Sequence, residues 1–282
     1  MSKKILVTTD LSPAAKAGIR FGIQLASQNG HSLVFLHVLE ILKPTRWSET
    51  RYEAYVREET EAARVQLERA VLTEFRAARI SSGEFQCVVA VQNISVHNTI
   101  IRQATKMKAD YICMSTRGAG GLKKLLGTNA SILLTTSPVP VFVVPRTWRR
   151  SPIKKIFYSS DFNDLGRELK KVKSFADSIN VSTLDVFHYD YLLNVKENLK
   201  RLEKVAARHK ASGVTFNFRK QNIEESLSYR LNIDVRKSKS SIAVLFTKQN
   251  RGWYERLFLS SRSAELSFIS TVPLLVFRKG SA

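Results

Sequence analysis

The fold is decided by residues 113–145, which read CMSTRGAGGLKKLLGTNASILLTTSPVPVFVVP. This stretch leaves an apolar run, passes through a loop that contains three glycines, and reaches Gly127 and Thr128 where a helical segment begins. It then closes on a strand-like run at Val139–Val144. A strand, a glycine loop and a helix start are the parts that hold a phosphate, because bare backbone N–H groups reach the anion and the helix N-terminus carries partial positive charge.

The loop matches neither of the two common phosphate-binding motifs. The P-loop pattern GxxxxGK[ST] is absent, and a dinucleotide fingerprint that begins at Gly118 would need a third glycine where Lys123 stands. A glycine loop before a helix is also an ordinary turn, because glycine accepts backbone conformations that other residues avoid. The loop taken alone therefore leaves both a phosphate site and a simple turn open.

Taken whole, the stretch resembles the C-terminal motif of the universal stress protein family. The family pattern is Gly, two residues, Gly, nine residues, Gly, then Ser or Thr, followed by a helix and a strand. Here Gly118 and Gly127 match the second and third glycines, Thr128 supplies the hydroxyl, and Val139–Pro145 matches the closing strand. Two features depart from the pattern: Ser115 replaces the first glycine, and eight residues instead of nine separate the other two.

The resemblance implies a site for an adenine nucleotide, ATP with Mg²⁺, in the first half of the chain. Asp10 follows the first predicted strand and would accept a ribose hydroxyl or help to hold a metal near the phosphates. The alternative interpretation of Asp10 is a carboxylate that caps the following helix. Val38 ends the second predicted strand, and its backbone would face the adenine edge. The phosphates would be lined by Ser115, Gly118, Gly127 and Thr128.

Strand-like and helical segments alternate along the chain. Several of the strands are apolar on both faces, which favours a parallel sheet covered by helices on both sides. Ser12 and Pro13 predict a helix start, and Asn29-Gly30 predicts its end. We therefore predict an α/β fold with two tandem Rossmann-like domains, each a five-stranded parallel sheet with helices on both faces. The family resemblance makes these domains similar to the adenine nucleotide alpha hydrolase-like fold.

An internal repeat supports the two-domain prediction. Residues 154–162 (KKIFYSSDF) echo residues 3–11 (KKILVTTDL), and His37 follows Asp10 by 27 positions just as His188 follows Asp161 by 27. Equal spacing with matching residues indicates a duplicated domain. We predict a first domain at 1–147 with a partly retained nucleotide motif and a second at 153–282 with a degenerate one.

The second copy lacks all three glycines of the family pattern. We align Thr247 and Asn250 with the first and second glycine positions, and Ser260-Ser261 with Gly127-Thr128. A side chain at these positions would stand where an anion needs to approach the backbone. The sequence therefore predicts that the second domain keeps the fold without the nucleotide site, and we favour function for Asp10 over Asp161.

The net charge of +21 is the unusual feature of the composition. Residues 1–150 hold 21 basic and 11 acidic residues and the remainder holds 24 and 13, so the excess is spread evenly between the halves. Such a surface attracts polyanions. The densest cluster, Arg146–Lys155, includes Trp148, and cations with an aromatic ring are used on single-stranded nucleic acid. We favour a basic linker here, because no recognition motif surrounds the cluster.

The sequence offers no arrangement for catalysis. The five histidines lack metal-ligand spacing, and no Ser-His-Asp or Cys-His combination is supported. The leading hypothesis is a non-catalytic stress-response module of the universal stress protein family with a weak ATP site in its first half. A polyanion- or nucleic-acid-binding protein and a slow ATPase are the alternatives.

The cysteines, the apolar runs and the last strand of each half bear on cellular location and partners. Cys87 and Cys113 lie in apolar runs and are expected to be buried free thiols, which fits a cytoplasmic protein. No apolar run approaches the ~18–20 residues needed to span a bilayer, so no membrane partner is expected. Family members pair through the last strand, which implies that the halves pair with each other through Val139–Val144 and Val272–Phe277. A further homodimer is left open.

Overall fold

A computed structural model of the chain describes residues 2–92, 95–116, 128–193, 196–222, 225, 227–247 and 272–278. The chain divides into two compact units, Met1–Arg146 and Thr147–Ala282. Strands and helices alternate in the first unit and, over residues 155–247, in the second, as the hydrophobic pattern predicts. Within the described residues, no helix is long and apolar enough to cross a membrane.

The first unit alternates strand and helix from its first described residues. Its second helix is the longest of the described part, with 30 residues. The elements are β1 (Lys4–Thr9), α1 (Lys16–Asn29), β2 (Ser32–Leu39), α2 (Glu49–Ala78), β3 (Phe85–Val91), α3 (Val96–Lys106), β4 (Tyr111–Ser115), α4 (Thr128–Thr136) and β5 (Val141–Val144).

Through residue 247, the second unit repeats this succession with a shorter second helix. Its described elements begin after a segment that contains Pro152. They are β6 (Lys155–Ser159), α5 (Leu165–Ser178), β7 (Thr183–Asp190), α6 (Lys196–Arg208), β8 (Val214–Lys220), α7 (Leu227–Lys237), β9 (Ile242–Thr247) and β10 (Leu274–Arg278).

The strand order is the same in both units. The first unit has the order β3-β2-β1-β4-β5 and the second β8-β7-β6-β9-β10, and the pairs within each unit are parallel. The central strands are buried on both faces, because α1 packs against α2 and α3 packs against α4 on the sheet of the first unit. The prediction of two α/β units with parallel five-stranded sheets is confirmed.

The first helix begins one turn later than Ser12 and Pro13 predict. The amide of Ala15 donates to the Ser12 carbonyl at 3.0 Å and to the Ser12 hydroxyl at 3.3 Å, so Ser12 closes a separate turn before α1 begins at Lys16. The predicted helix end is confirmed at Gly30, which is left-handed with φ of 63° and donates its N–H to the Ala26 carbonyl.

Candidate functional site

The carboxyl ends of β1 and β4 form the edge of the first sheet where the strand order reverses. Ligands of open parallel sheets bind at such a switch point, because the connections leave the sheet in opposite directions and open a crevice. Asp10 directly follows β1 and is exposed, and Ser115 is the last residue of β4 and is buried. The structure thus brings the predicted residues Asp10 and Ser115 to one edge of the sheet.

The turn from β1 to α1 is built from two side-chain hydrogen bonds. The Leu11 amide donates to the Thr9 hydroxyl at 3.0 Å, and the Ser12 amide donates to a carboxylate oxygen of Asp10 at 3.1 Å. Between them Leu11 has φ of 62°, a left-handed conformation that is uncommon for a residue other than glycine. Such local bonds let short polar side chains replace backbone hydrogen bonds in a tight turn.

The turn from β6 to α5 repeats this construction in the second unit. The Phe162 amide donates to the Ser160 hydroxyl at 3.1 Å, and the Asn163 amide donates to Asp161 at 3.0 Å. Phe162 also has φ of 62°. In addition the Asn163 side-chain amide donates to the second carboxylate oxygen of Asp161 at 3.0 Å, so both oxygens of Asp161 are engaged by one neighbour.

A histidine from the second strand of each unit holds the end of the first strand. His37 Nδ1 lies 2.8 Å from the Thr9 carbonyl oxygen, and His188 Nδ1 lies 2.9 Å from the Ser160 carbonyl oxygen. These contacts explain the equal spacing of aspartate and histidine in the two halves. Burial lowers the pKa of His188, so its ring is neutral at pH 7 with the proton on the nitrogen that donates to the carbonyl.

The Ser115 hydroxyl ties the end of β4 to α1. Its oxygen accepts from the Gly18 amide at 2.9 Å, and its proton is donated to the Ala15 carbonyl at 3.1 Å. The Gly18 amide also donates to the Ala15 carbonyl at 3.1 Å, so the Ser115 hydroxyl adds to a hydrogen bond that already closes the first turn of the helix. The hydroxyl predicted to line the phosphates is therefore directed at the helix.

The strand register of the second unit corrects the alignment of Thr247 with Ser115. Val7 of β1 lies opposite Cys113, and the equivalent residue Tyr158 of β6 lies opposite Val244. Cys113 and Val244 are therefore equivalent. Ser115 and Phe246 each lie two residues further along their strands, so Phe246 is the equivalent of Ser115. Loop lengths could not reveal this, because the register of a strand is set by its neighbours in the sheet and by which side chains face the core.

Aromatic and acidic side chains fill the corresponding corner of the second unit. Phe246 is buried, packs edge-on against Tyr158 at 5.8 Å between ring centroids and stacks on Phe277 at 5.0 Å. The Tyr158 hydroxyl donates to the Glu168 carboxylate, which also accepts from Ser160 at 3.3 Å. Burial and the nearby Glu168 charge raise the pKa of Tyr158 well above its ordinary value, so the phenol keeps its proton.

This buried carboxylate was missed by reading the sequence. Glu168 has an exposed fraction of 4% and stands on the apolar side of α5, three residues after buried Leu165 and four before buried Val172. A glutamate at a core-facing helical position is the available signal, because a buried carboxylate needs hydrogen-bond donors from the facing strand.

The other predicted site residues lie along the same edge or outside the described residues. Val38 is half-buried near the end of β2, opposite Ala90 of β3. Thr128 is exposed and begins α4. Gly118 and Gly127 lie outside the described residues, as do Asn250, Ser260 and Ser261 of the second half.

Trp148 does not belong to an exposed basic cluster. Its exposed fraction is 7%, so the ring packs in the protein and is not available to stack on a nucleic-acid base. The interpretation of the cluster as a basic linker stays a prediction, and the last member of the cluster, Lys155, is the first residue of β6.

Both cysteines are free thiols. Burial raises the pKa of Cys87 to about 11 and raises that of Cys113 further, so neither forms a reactive thiolate at neutral pH. Among the residues that the structure describes, no group of three or more His, Cys, Asp and Glu side chains is arranged to hold a metal ion.

Comparisons with known proteins agree with this architecture. Residues 1–145 match the model of the universal stress protein family. Universal stress protein A homolog 1 of Coxiella burnetii is 29% identical over 150 residues, which cover 50% of this chain and 95% of that protein.

Two solved structures resemble the chain over nearly its full length. A universal stress protein from Archaeoglobus fulgidus has a TM-score of 0.71 at 18% identity, covering 99% of this chain and 100% of that one. A putative universal stress protein from Pseudomonas aeruginosa has a TM-score of 0.60 at 19% identity, covering 98% of this chain and 93% of that one. At these identities the likeness shows the fold alone.

Proposed function

Because the chain belongs to the universal stress protein family, we propose that it is a tandem member whose first unit binds an adenine nucleotide and whose second unit does not. The ligand we propose is ATP with Mg²⁺. The site lies at the carboxyl edge between β1 and β4 and includes Asp10, Val38 and Thr128, with the loop glycines Gly118 and Gly127. Ser115 contributes by fixing the end of β4 against α1.

One observation supports this assignment most strongly: the two equivalent edges differ in what occupies them. In the first unit a serine of small volume ends β4, and Asp10 is exposed beside it. An exposed carboxylate is accessible to a ribose or a hydrated metal ion, and the small Ser115 lets α1 lie directly against the end of β4.

In the second unit the same edge carries bulky side chains. Phe246 takes the place of Ser115, and the Phe162 ring lies 4.6 Å from the His188 ring and 6.0 Å from Phe218. Asp161 is held through both oxygens by Asn163. A nucleotide that uses Asp161 would have to displace the two hydrogen bonds from Asn163, which would reduce its affinity by the free energy they contribute.

Calorimetric titration of the full chain with ATP and Mg²⁺ tests the proposal. We expect one site per chain. Asp10→Asn keeps an oxygen for the Ser12 amide but removes the charge, so it should weaken binding about tenfold or more, the usual effect of losing a charged hydrogen-bond partner. Asp161→Asn is the matched control and should leave the affinity unchanged.

Two results would overturn the assignment. A stoichiometry of two would show that the second unit also binds. Loss of binding in Asp161→Asn with full binding in Asp10→Asn would move the site to the second unit.

We further propose that this module is cytoplasmic and does not hydrolyse ATP. The free thiols fit a reducing compartment, and the sequence offers no general base placed for water. Phosphate release from bound ATP should equal the buffer blank, and measurable turnover abolished by Asp10→Asn would establish the slow ATPase instead. Pairing of the halves through residues 139–144 and 272–277 stays a prediction, testable by the mass of the chain in solution.

A further inference from the structure

The equivalent helix pairs of the two units carry different charges. Helices α1 and α2 hold seven basic and seven acidic residues, whereas α5 and α6 hold nine basic and four acidic residues, a net charge of +5. One of those four acids, Glu168, is buried and hydrogen-bonded. The two halves of the chain have nearly equal net charge, but the helix pair α5 and α6 is much more positive than the pair α1 and α2.

Four cations form one row along α6. Lys196, Lys200, Lys204 and Arg208 follow at steps of four residues, and all four are exposed. At 1.5 Å rise per residue, neighbours in the row are about 6 Å apart along the helix axis, and the row extends for about 18 Å. The ion pairs found within the described part of the second unit involve none of these four side chains.

The first turns of α5 widen this row. A Cβ atom placed on Gly166 would lie 3.1 Å from the His209 ring, so the start of α5 lies beside the end of α6. Arg167 and Lys170 on α5 are exposed. We call Arg167, Lys170 and the four cations of α6 the cationic face.

We propose that the cationic face binds single-stranded nucleic acid through its phosphate backbone. Evenly spaced cations that none of the described ion pairs engages complement a chain of evenly spaced negative charges, and each neutralised phosphate releases a counterion. The site is separate from the proposed nucleotide site, because it lies on the helices of the second unit.

The apolar side of α6 argues for a nucleic acid over an anionic membrane. A helix that binds a membrane surface inserts its apolar side among the lipids. In α6 that side is committed to the protein, because Leu202 and Ala206 are buried. The exposed residues of the helix are charged or small, and its other apolar residues, Leu199 and Val205, are half-buried, so the helix offers little apolar surface to insert.

An exposed aromatic ring lies near the start of the row. Tyr191 has an exposed fraction of 50%. The next residue, Leu192, accepts a hydrogen bond on its carbonyl from the Asn198 side chain at 3.4 Å, which holds this segment against the first turn of α6. A base can stack on such a ring while the phosphates follow the cations.

Fluorescence anisotropy of the full chain with a labelled thymidine 20-mer, measured over a salt series, tests the proposal. The triple variant Lys196→Gln, Lys200→Gln, Lys204→Gln should reduce the slope of log K against log salt by about 2, since each contact to a single strand contributes about 0.7. The matched control Arg57→Gln, Arg69→Gln, Arg76→Gln removes the same charge from exposed positions of α2 and should leave the slope unchanged.

Tyr191→Ala should lower the affinity for the 20-mer by at least about fivefold at fixed salt, with the slope unchanged. An equal loss in both triple variants would overturn the proposal, because it would show a diffuse effect of net charge. Binding to phosphatidylserine vesicles without binding to the 20-mer would overturn it in favour of a membrane. ATP titration of the same variants keeps this test independent of the nucleotide site.

Discussion

Helices α1 and α5 occupy equivalent places, yet they meet their sheets in different ways. A Cβ atom on Gly18 of α1 would lie 3.1 Å from the Ser115 backbone nitrogen, and one on Gly22 would lie 2.5 Å from a methyl group of Val7. The backbone of α1 therefore lies directly against the sheet, and the Ser115 hydroxyl completes the contact.

Helix α5 meets its sheet through large side chains. Leu169, the equivalent of Gly18, is buried, and Glu168 is bound by the Tyr158 and Ser160 hydroxyls. Both corners are well packed, but one is filled by backbone and the other by side chains. A duplicated fold can therefore keep its strand order and turn geometry while the contact between its first helix and its sheet is built from different groups.

Removal of the Phe246 ring from the second unit should lower the free energy of unfolding more than any other change proposed here. Phe246→Ala should lower the free energy of unfolding by about 3–5 kcal/mol, because it removes a buried ring that packs on Tyr158 and Phe277. Chemical denaturation of the full chain measures this. The matched variant Ser115→Ala should cost only about 1 kcal/mol, the usual net value of a hydrogen bond. Equal losses would contradict the difference between the corners.

Removal of the buried carboxylate should have the next largest effect. Glu168→Leu leaves the Tyr158 and Ser160 hydroxyls without their acceptor, so we expect a loss of about 1–3 kcal/mol in the free energy of unfolding. Adding Tyr158→Phe should recover most of it, because the phenol is then no longer buried without an acceptor, while Ser160 keeps the hydroxyl that accepts from the Phe162 amide. A double variant less stable than Glu168→Leu would show that the acid acts through packing alone.

The variant Gly18→Ala tests whether the backbone of α1 lies directly against the sheet. The added methyl group would overpack against Ser115, which lowers the free energy of unfolding by about 1–3 kcal/mol. The higher helix propensity of alanine raises it by up to about 1 kcal/mol. We therefore expect a net decrease of about 1 kcal/mol, measured by urea denaturation. Gly166→Ala on α5 is the control, since its Cβ would meet only the end of the His209 side chain. That variant should be neutral or slightly stabilising, and a loss equal to that of Gly18→Ala would refute the comparison.

The smallest effect is a pH dependence that belongs to the second unit. The pKa of His188 is lowered from 6.5 by burial. Above pH 6.5 the His188 ring is neutral in both the folded and the unfolded chain. Below pH 6.5 the unfolded chain binds the proton first. The free energy of unfolding therefore falls as the pH is lowered towards the pKa of the folded chain. Denaturation at pH 7.5 and pH 5.5 should show a smaller decrease for His188→Asn than for the wild type. The same decrease in both would exclude His188 as a cause.

Much of the fold was predictable because it depends on local pattern. Alternating apolar strands and amphipathic helices predicted the parallel sheets, and the repeated spacing of aspartate and histidine predicted the duplication. The spacing has a physical cause, since the histidine of the second strand must reach the carbonyl at the end of the first. The start of α1 was less predictable, because Ser12 closes a turn of its own.

The candidate site was less predictable, because its residues come from distant parts of the chain. The sequence placed Asp10 and Ser115 at strand ends, but it did not reveal that the Ser115 hydroxyl binds α1. It aligned Thr247 where the sheet places Phe246, and it grouped Trp148 with exposed cations although the ring is buried.

The order of elements and the presence of two copies could be predicted from periodicity and spacing along the chain, and the motif in residues 113–145 carries the resemblance to the family. The side chains that fill the edge of each sheet could be identified only from tertiary contacts. Strand register and helix packing bring together residues more than 70 apart, such as Tyr158 and Phe246 or Gly18 and Ser115. Those contacts depend on the volumes of side chains that face each other, and one segment of sequence does not show which distant side chains will face it.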